Sequence, residues 1–169
     1  MSTLSIKNLC PGVRFRPKAA HDFEVCISPE VLEHFYNYRQ LQPFSKEAGG
    51  QLFAKIHSGI IHVCSATGPR KLDRRGRFFF NPIRWIEKLE IKGKFNDGLH
   101  YVGDWHTHPQ QIPEPSALDI KSMKECFIKS KHELPFFVLV IVGQIAPPAG
   151  ISVSIHNGSS HLFLVLSNR

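Results

Sequence analysis

One apolar run constrains the architecture of this chain more than any other feature. Phe136–Gly143 reads FFVLVIVG. It is far shorter than the roughly 20 apolar residues a membrane-spanning helix needs. Its density of β-branched and aromatic side chains is that of a buried strand. No membrane association is expected, and a sheet with such a strand inside it needs other elements to cover it.

The rest of the sequence supplies those elements. DFEVCIS (22–28) reads as a strand, and Ser28 followed by PEVLEHFYNYRQ as a capped helix, with proline at its first position and glutamate in its first turn. GGQLFAKI (49–56) and IIHVCSAT (60–67) are two strands joined by the turn HSG. A charged loop, GPRKLDRRGR (68–77), precedes a short strand RFFF (77–80), after which Asn81-Pro82 opens a helix through PIRWIEKLEIKGKF that ends at Gly98. HYVGDWHTH (100–108) is a strand, and Ser116 can N-cap a third helix, ALDIKSMKECFIKSK. PFFVLVIVG, GISVSIHN and SHLFLVLS close the chain as strands, the last two joined around NGS. Residues 1–20 read as an irregular, partly basic N-terminal segment. The order predicts an α/β or α+β fold: a mixed, largely antiparallel sheet flanked by helices. A length of 169 residues fits a single domain over 1–169, large enough to fold without a disulfide or a structural metal.

The formal net charge of +7 permits an acidic partner without identifying one. No nucleic-acid-binding module is present, so nucleic acid is not expected as the ligand. Cys10, Cys26, Cys64 and Cys126 contain no C-x-x-C pair, which argues against a zinc knuckle or a dithiol redox motif. MSTLSIKNLC lacks the apolar stretch of a secretory signal. A cytoplasmic, reduced protein is the expectation.

The chemistry concentrates in GDWHTHPQQIPEPSALD, Gly103–Asp119. Residues i and i+2 of a strand share a face, so His106 and His108 point the same way. Pro109 ends the ladder for want of an N–H. The loop QQIPEP leads to Ser116, and Asp119 falls in the first turn of the helix that follows. A strand end facing a helix start can bring two imidazoles and a carboxylate together. Three such ligands with a fourth position left for water describe a catalytic zinc centre. The plainer alternative is that Ser116 and Asp119 form an S-x-x-D helix start and the histidines are surface residues. Spacing alone leaves both open. Asp104 shares the histidine face, within reach of supporting a ligand imidazole, whereas Trp105 and Thr107 face the other way and read as packing residues.

HTHPQQIPEPSALD also resembles the His-x-His-Pro, six-residue spacer, Ser-x-x-Asp signature of the JAMM (JAB, MPN-plus) metalloproteases. KEAGGQLFA resembles the upstream glutamate and glycine-rich strand start that accompany that signature. Thr107 stands where many members have serine, and Ala54 where glycine is frequent; neither is a ligand position. The resemblance covers roughly residues 20–167 and implies an MPN/cytidine-deaminase-like fold. It also implies one zinc ion per chain on His106, His108 and Asp119, Glu47 as the general base, and Ser116 as a stabiliser of the oxyanion. Without it Glu47 would read as a solvated loop charge.

Within the family the chain looks most like bacterial stand-alone domains encoded beside E1- and E2-like proteins, including the deconjugating peptidases of CBASS anti-phage operons. That implies hydrolysis of the bond joining the C-terminus of a protein, ubiquitin-like or a cGAS-like nucleotidyltransferase, to a target amine. The alternative is a non-catalytic MPN-type binding module; the complete ligand set favours the enzyme. RKLDRRGR (70–77) reads as a solvated loop, or as a grip for an acidic target. The residues that bind the scissile tail are not legible.

Overall fold

A computed structural model describes residues 11–167. The N-terminal decapeptide, including Cys10, lies outside the described residues. The first strand, β1 (Val13–Arg16), falls in the segment expected to be irregular. Its signal is hidden by charge: VRFR turns only Phe15 fully inward, and Arg14 reaches across to Glu24 at 2.8 Å. β2 (Glu24–Ile27) pairs with it antiparallel and leads into α1 (Pro29–Asn37). Ser28 caps α1 through the Val31 amide, as the sequence predicts, but the helix stops short of Tyr38-Arg39-Gln40.

β3 (Gly49–His57) and β4 (Ile60–Ala66) form the expected hairpin. The charged loop is not wholly irregular. It contains β5 (Arg74–Gly76), which pairs with β6 (Phe79–Asn81) as a separate two-stranded sheet. Asn81 belongs to that hairpin, so α2 (Arg84–Asn96) starts two residues beyond Pro82, with Ile83 as its cap residue. Ile83 has no capping side chain of its own; the Asp73 carboxylate accepts its N–H at 3.0 Å instead. Then follow β7 (His100–Thr107), α3 (Ala117–Lys129), β8 (Phe137–Val142), β9 (Ile151–His156) and β10 (His161–Leu166), close to their expected positions.

Eight strands close a barrel in the order β1-β10-β9-β8-β7-β3-β4-β2. Among the described residues only β2–β4 and β7–β8 pair parallel. The mixed, largely antiparallel sheet is therefore as expected, and its closure is the new element, made by β1 pairing with both β2 and β10. β8 shows why its run is apolar throughout: Val138, Val140 and Val142 join one core with Trp105 and the α1 residues Val31 and Phe35, while Phe137, Leu139 and Ile141 join a second core with Met123 of α3. The sheet is covered on both faces, and α3 is fixed beside the end of β7.

Candidate active site

The site grows out of the end of β7. Trp105 and Thr107 turn into the core, 1% and 0% exposed, which leaves His106 and His108 on the opposite face. β7 ends at Thr107, although the His108 N–H still reaches Val142 O at 2.9 Å before Pro109 stops the pairing. The loop that follows is pinned to the turn after β8, with the Gln144 N–H donating to Gln110 O at 2.7 Å. It delivers the chain to α3, whose first turn faces the histidines.

Ser116 and Asp119 form a capping box: the Asp119 N–H donates to Ser116 Oγ at 3.2 Å, and the Ser116 N–H and Oγ–H both donate to Asp119 Oδ2 at 2.7 Å. The helix-start reading is correct but incomplete. Asp119 Oδ1 takes no part in the cap and stands 3.2 Å from His106 Nε2, while Oδ2 is 3.4 Å from His108 Nε2. The two Nε2 atoms are 3.2 Å apart.

These separations fit a metal. Ligands bonded at about 2.0–2.1 Å in a tetrahedral shell lie roughly 3.3 Å from one another; the two Nε2 atoms are close to that separation, and each stands close to it from a different oxygen of Asp119. Among the described residues this is the cluster of three histidine, cysteine or acidic side chains that can converge on one ion. Electrostatics agree. Burial alone would push Asp119 up, but hydrogen bonds from His106, His108 and Ser116 outweigh it and hold the carboxyl far below the usual range. For His108 burial works downward, and Asp119 and Glu47 together reverse it and raise the imidazole.

Glu47 arrives from the other wall. It is 8% exposed and sits immediately before Ala48 and the Gly49-Gly50 start of β3. Its N–H donates to Gly76 O at 2.7 Å, and its carbonyl accepts from Arg75 Nε at 2.7 Å, so the β5–β6 hairpin brackets its backbone. A side chain at Gly50 would drive its Cβ to 1.7 Å from Thr67 O, so only glycine lets the strand pass so close. Burial raises the Glu47 carboxyl above its ordinary value; His106 and His108 oppose that rise and Asp119 adds to it. Glu47, both histidines, Ser116 and Asp119 line one cleft of about 650 Å³, together with the exposed Phe78, Phe79 and Leu118 and with Arg84, Glu87 and Asp104.

Two expectations need adjustment. Asp104 shares the histidine face, but its carboxylate accepts from Tyr101 Oη at 2.9 Å rather than from an imidazole. The basic loop is neither freely solvated nor free to grip a target along its whole length. Arg70 binds Glu90 through Nε at 2.8 Å and also meets Asp73 and Glu87, and Arg77 donates to the carbonyls of Gln42 and Pro43. Lys71 and Arg74 stay exposed. Sequence reasoning missed Arg75 and Gly76 as supports of Glu47, because backbone-directed contacts leave no periodic or motif signal.

Comparison with known proteins places the chain in a family. Residues 29–156 match the family model described as prokaryotic homologs of the JAB domain. A Pseudomonas aeruginosa protein named "CD-NTase/cGAS isopeptidase" is 30% identical over 71% of this chain and 77% of its own length. Proteins of the same name from Escherichia coli and Vibrio cholerae are 32% and 30% identical, over 73% and 75% of this chain and 78% and 81% of their own. A solution structure of a Desulfitobacterium hafniense protein shares the fold with a TM-score of 0.58 at 18% identity, covering 82% of this chain and 88% of that one. The fold thus has a structural counterpart and the sequence has relatives over most of its length, and the chain belongs to the family of prokaryotic homologs of the JAB domain.

Proposed function

We propose that this chain is a zinc-dependent isopeptidase that frees a protein from an amine attached to its C-terminus. One observation carries the reading: three metal-competent side chains converge in a cleft that also holds a buried glutamate that is not one of the three. The relatives named for a CD-NTase/cGAS substrate support a cGAS-like nucleotidyltransferase as the conjugated protein, in cytoplasmic anti-phage defence of the CBASS kind. A ubiquitin-like protein is the other member of that substrate class.

His106, His108 and Asp119 would hold the ion. Zinc, when bound in such a site, lowers the pKa of water towards neutrality and polarises a carbonyl. Glu47 takes the proton from the attacking water and passes it to the departing amine nitrogen as the C–N bond breaks. Burial suits it to both tasks, because a carboxyl lifted toward the working pH both accepts and donates. Ser116 lies at the start of α3, where backbone N–H groups favour developing negative charge. Its hydroxyl points at Asp119 in the resting structure, and turning it outward supplies a donor to the oxyanion. The tail lies extended along the cleft by strand addition to the β5–β6 hairpin, the two-stranded sheet outside the closed barrel whose residues Phe79–Asn81 line the cleft.

The test offers the purified protein a C-terminal fusion of a cGAS-like nucleotidyltransferase and, separately, denatured casein, with zinc measured by mass spectrometry. Cleavage of the fusion at one site, lost in Glu47→Ala, supports the reading. Digestion of casein with the fusion left intact, or a protein free of zinc and inert toward both, defeats it; the second outcome would leave a binding module.

A further inference from the structure

Gln40 lies beyond the end of α1, outside the signature residues and away from the cleft lining, and it is fully buried. A buried primary amide must satisfy one acceptor oxygen and two donor hydrogens, and this one does so entirely on segments that build the site. Its Oε1 accepts from Thr107 Oγ1 at 2.8 Å. Its Nε2 donates to Ser45 O at 3.1 Å and to Arg77 O at 2.8 Å. Thr107 is the residue between the two histidines, and its Oγ1 in turn accepts the Ala48 N–H at 2.9 Å, while its own N–H donates to Ala48 O at 2.8 Å. Ser45 and Ala48 flank the Lys46-Glu47 pair on either side. Arg77 follows the two hairpin residues, Arg75 and Gly76, that hold the Glu47 backbone.

We infer that Gln40, acting through Thr107, is a positioning residue that locks the Glu47 segment onto the strand carrying His106 and His108 and ties the β5–β6 hairpin into the same unit. The inference rests on the proposed role of Glu47. Glu47 stands on a connection with no helix or strand of its own, and such a segment keeps a carboxylate in place only if its backbone is held on both sides. The hairpin holds one side and Thr107 the other; Gln40 joins the two. Neither neighbour in chemistry can replace it: a glutamate there offers acceptors where Ser45 O and Arg77 O need donors, and methionine offers neither. The role also gives Thr107 a function beyond packing. Its hydroxyl is the one atom joining Gln40 to the Ala48 amide, and a serine preserves it.

The experiment compares Thr107→Val, Thr107→Ser and Gln40→Met with wild type in the zinc-loaded and zinc-free protein. Thr107→Val keeps the shape and removes the hydroxyl. For it and for Gln40→Met, kcat on the fusion substrate should fall roughly 10- to 100-fold, the usual cost of losing a support to a reacting group. KM should stay within about twofold and zinc near one per chain. Thr107→Ser should stay within about threefold of wild type. In the zinc-free proteins, hydrogen exchange of amides 46–48 should speed up in Thr107→Val and Gln40→Met but not in Thr107→Ser, with α3 unchanged. Wild-type kcat in Thr107→Val, or a fall that tracks lost zinc, would overturn the inference. So would equal loss in Thr107→Ser. Should Gln40→Met not fold, the Thr107 pair decides alone. Inactive wild type would sink the isopeptidase reading instead, and the exchange data would still judge the network.

Discussion

Asp119 Oδ2 joins the helix cap to the imidazoles: it accepts from the Ser116 amide and hydroxyl at 2.7 Å and lies 3.4 Å from His108 Nε2, while Oδ1 stands 3.2 Å from His106 Nε2. The helix cap therefore aims the carboxylate at the imidazoles. Asp119→Ala should lose both functions, with zinc occupancy falling well below one per chain and the zinc-free protein losing about 1 kcal/mol for the carboxylate half of the capping box, Ser116 still capping the helix. Asp119→Asn keeps an acceptor for the cap, so it should lose zinc while its zinc-free stability stays near wild type. Denaturant titration and mass spectrometry check the pair. Full zinc in Asp119→Ala would return the residue to a purely structural role.

Glu47→Ala should lower turnover by at least 10²-fold, the lower end of what a general acid–base contributes, and leave zinc unchanged. Single-turnover kinetics on the fusion substrate, with metal analysis of the same sample, separates base from ligand. Zinc lost in parallel with activity would recast Glu47 as a ligand.

The same residue should carry a stability signature. Burial raises its folded-state carboxyl above its unfolded value, so the folded protein favours the neutral form. Its favourable contribution is complete below the unfolded value, near pH 4, and is lost as pH rises through the folded one. In zinc-free protein Glu47→Gln should therefore melt higher than wild type at pH 8, with the gap closing as pH approaches 4. A melting difference independent of pH would contradict the assigned environment.

Activity should vanish with a strong chelator, return with added zinc, and resist thiol alkylation. Neither Cys64 nor Cys126 lines the cleft, and burial raises the Cys126 thiol, which makes it a poor nucleophile. Inhibition by iodoacetamide with zinc and fold retained would point to cysteine chemistry.

What the sequence made legible follows from the range of the interactions involved. The β8 run, the Ser28 and Ser116 caps and the β3–β4 hairpin are local, and each appears where its residues predict it. His106 and His108 followed from strand alternation, and Asp119 from its place after a cap. Glu47 did not follow from spacing, because its burial depends on a hairpin some 30 residues downstream; only the family signature singled it out. β1 was missed because Arg14 and Arg16 mask its own pattern and one of its two partners, β10, lies at the far end of the chain. Gln40 was invisible for a related reason: a buried amide has no period, and its partners are carbonyls and a hydroxyl on three other segments.

The closing of the barrel by β1 has a practical edge. Four residues, Val13–Arg16, pair with most of β2 and with the last two residues of β10. A truncated chain beginning at Ala20, where pattern alone would trim, leaves both of these edges bare on one molecule. Each is a template for the strand of another copy, and stacking one edge against the next does not terminate. Solubility at high concentration is thus guarded by a tetrapeptide far from the chemistry, and its loss would show first as material in the void volume of a sizing column.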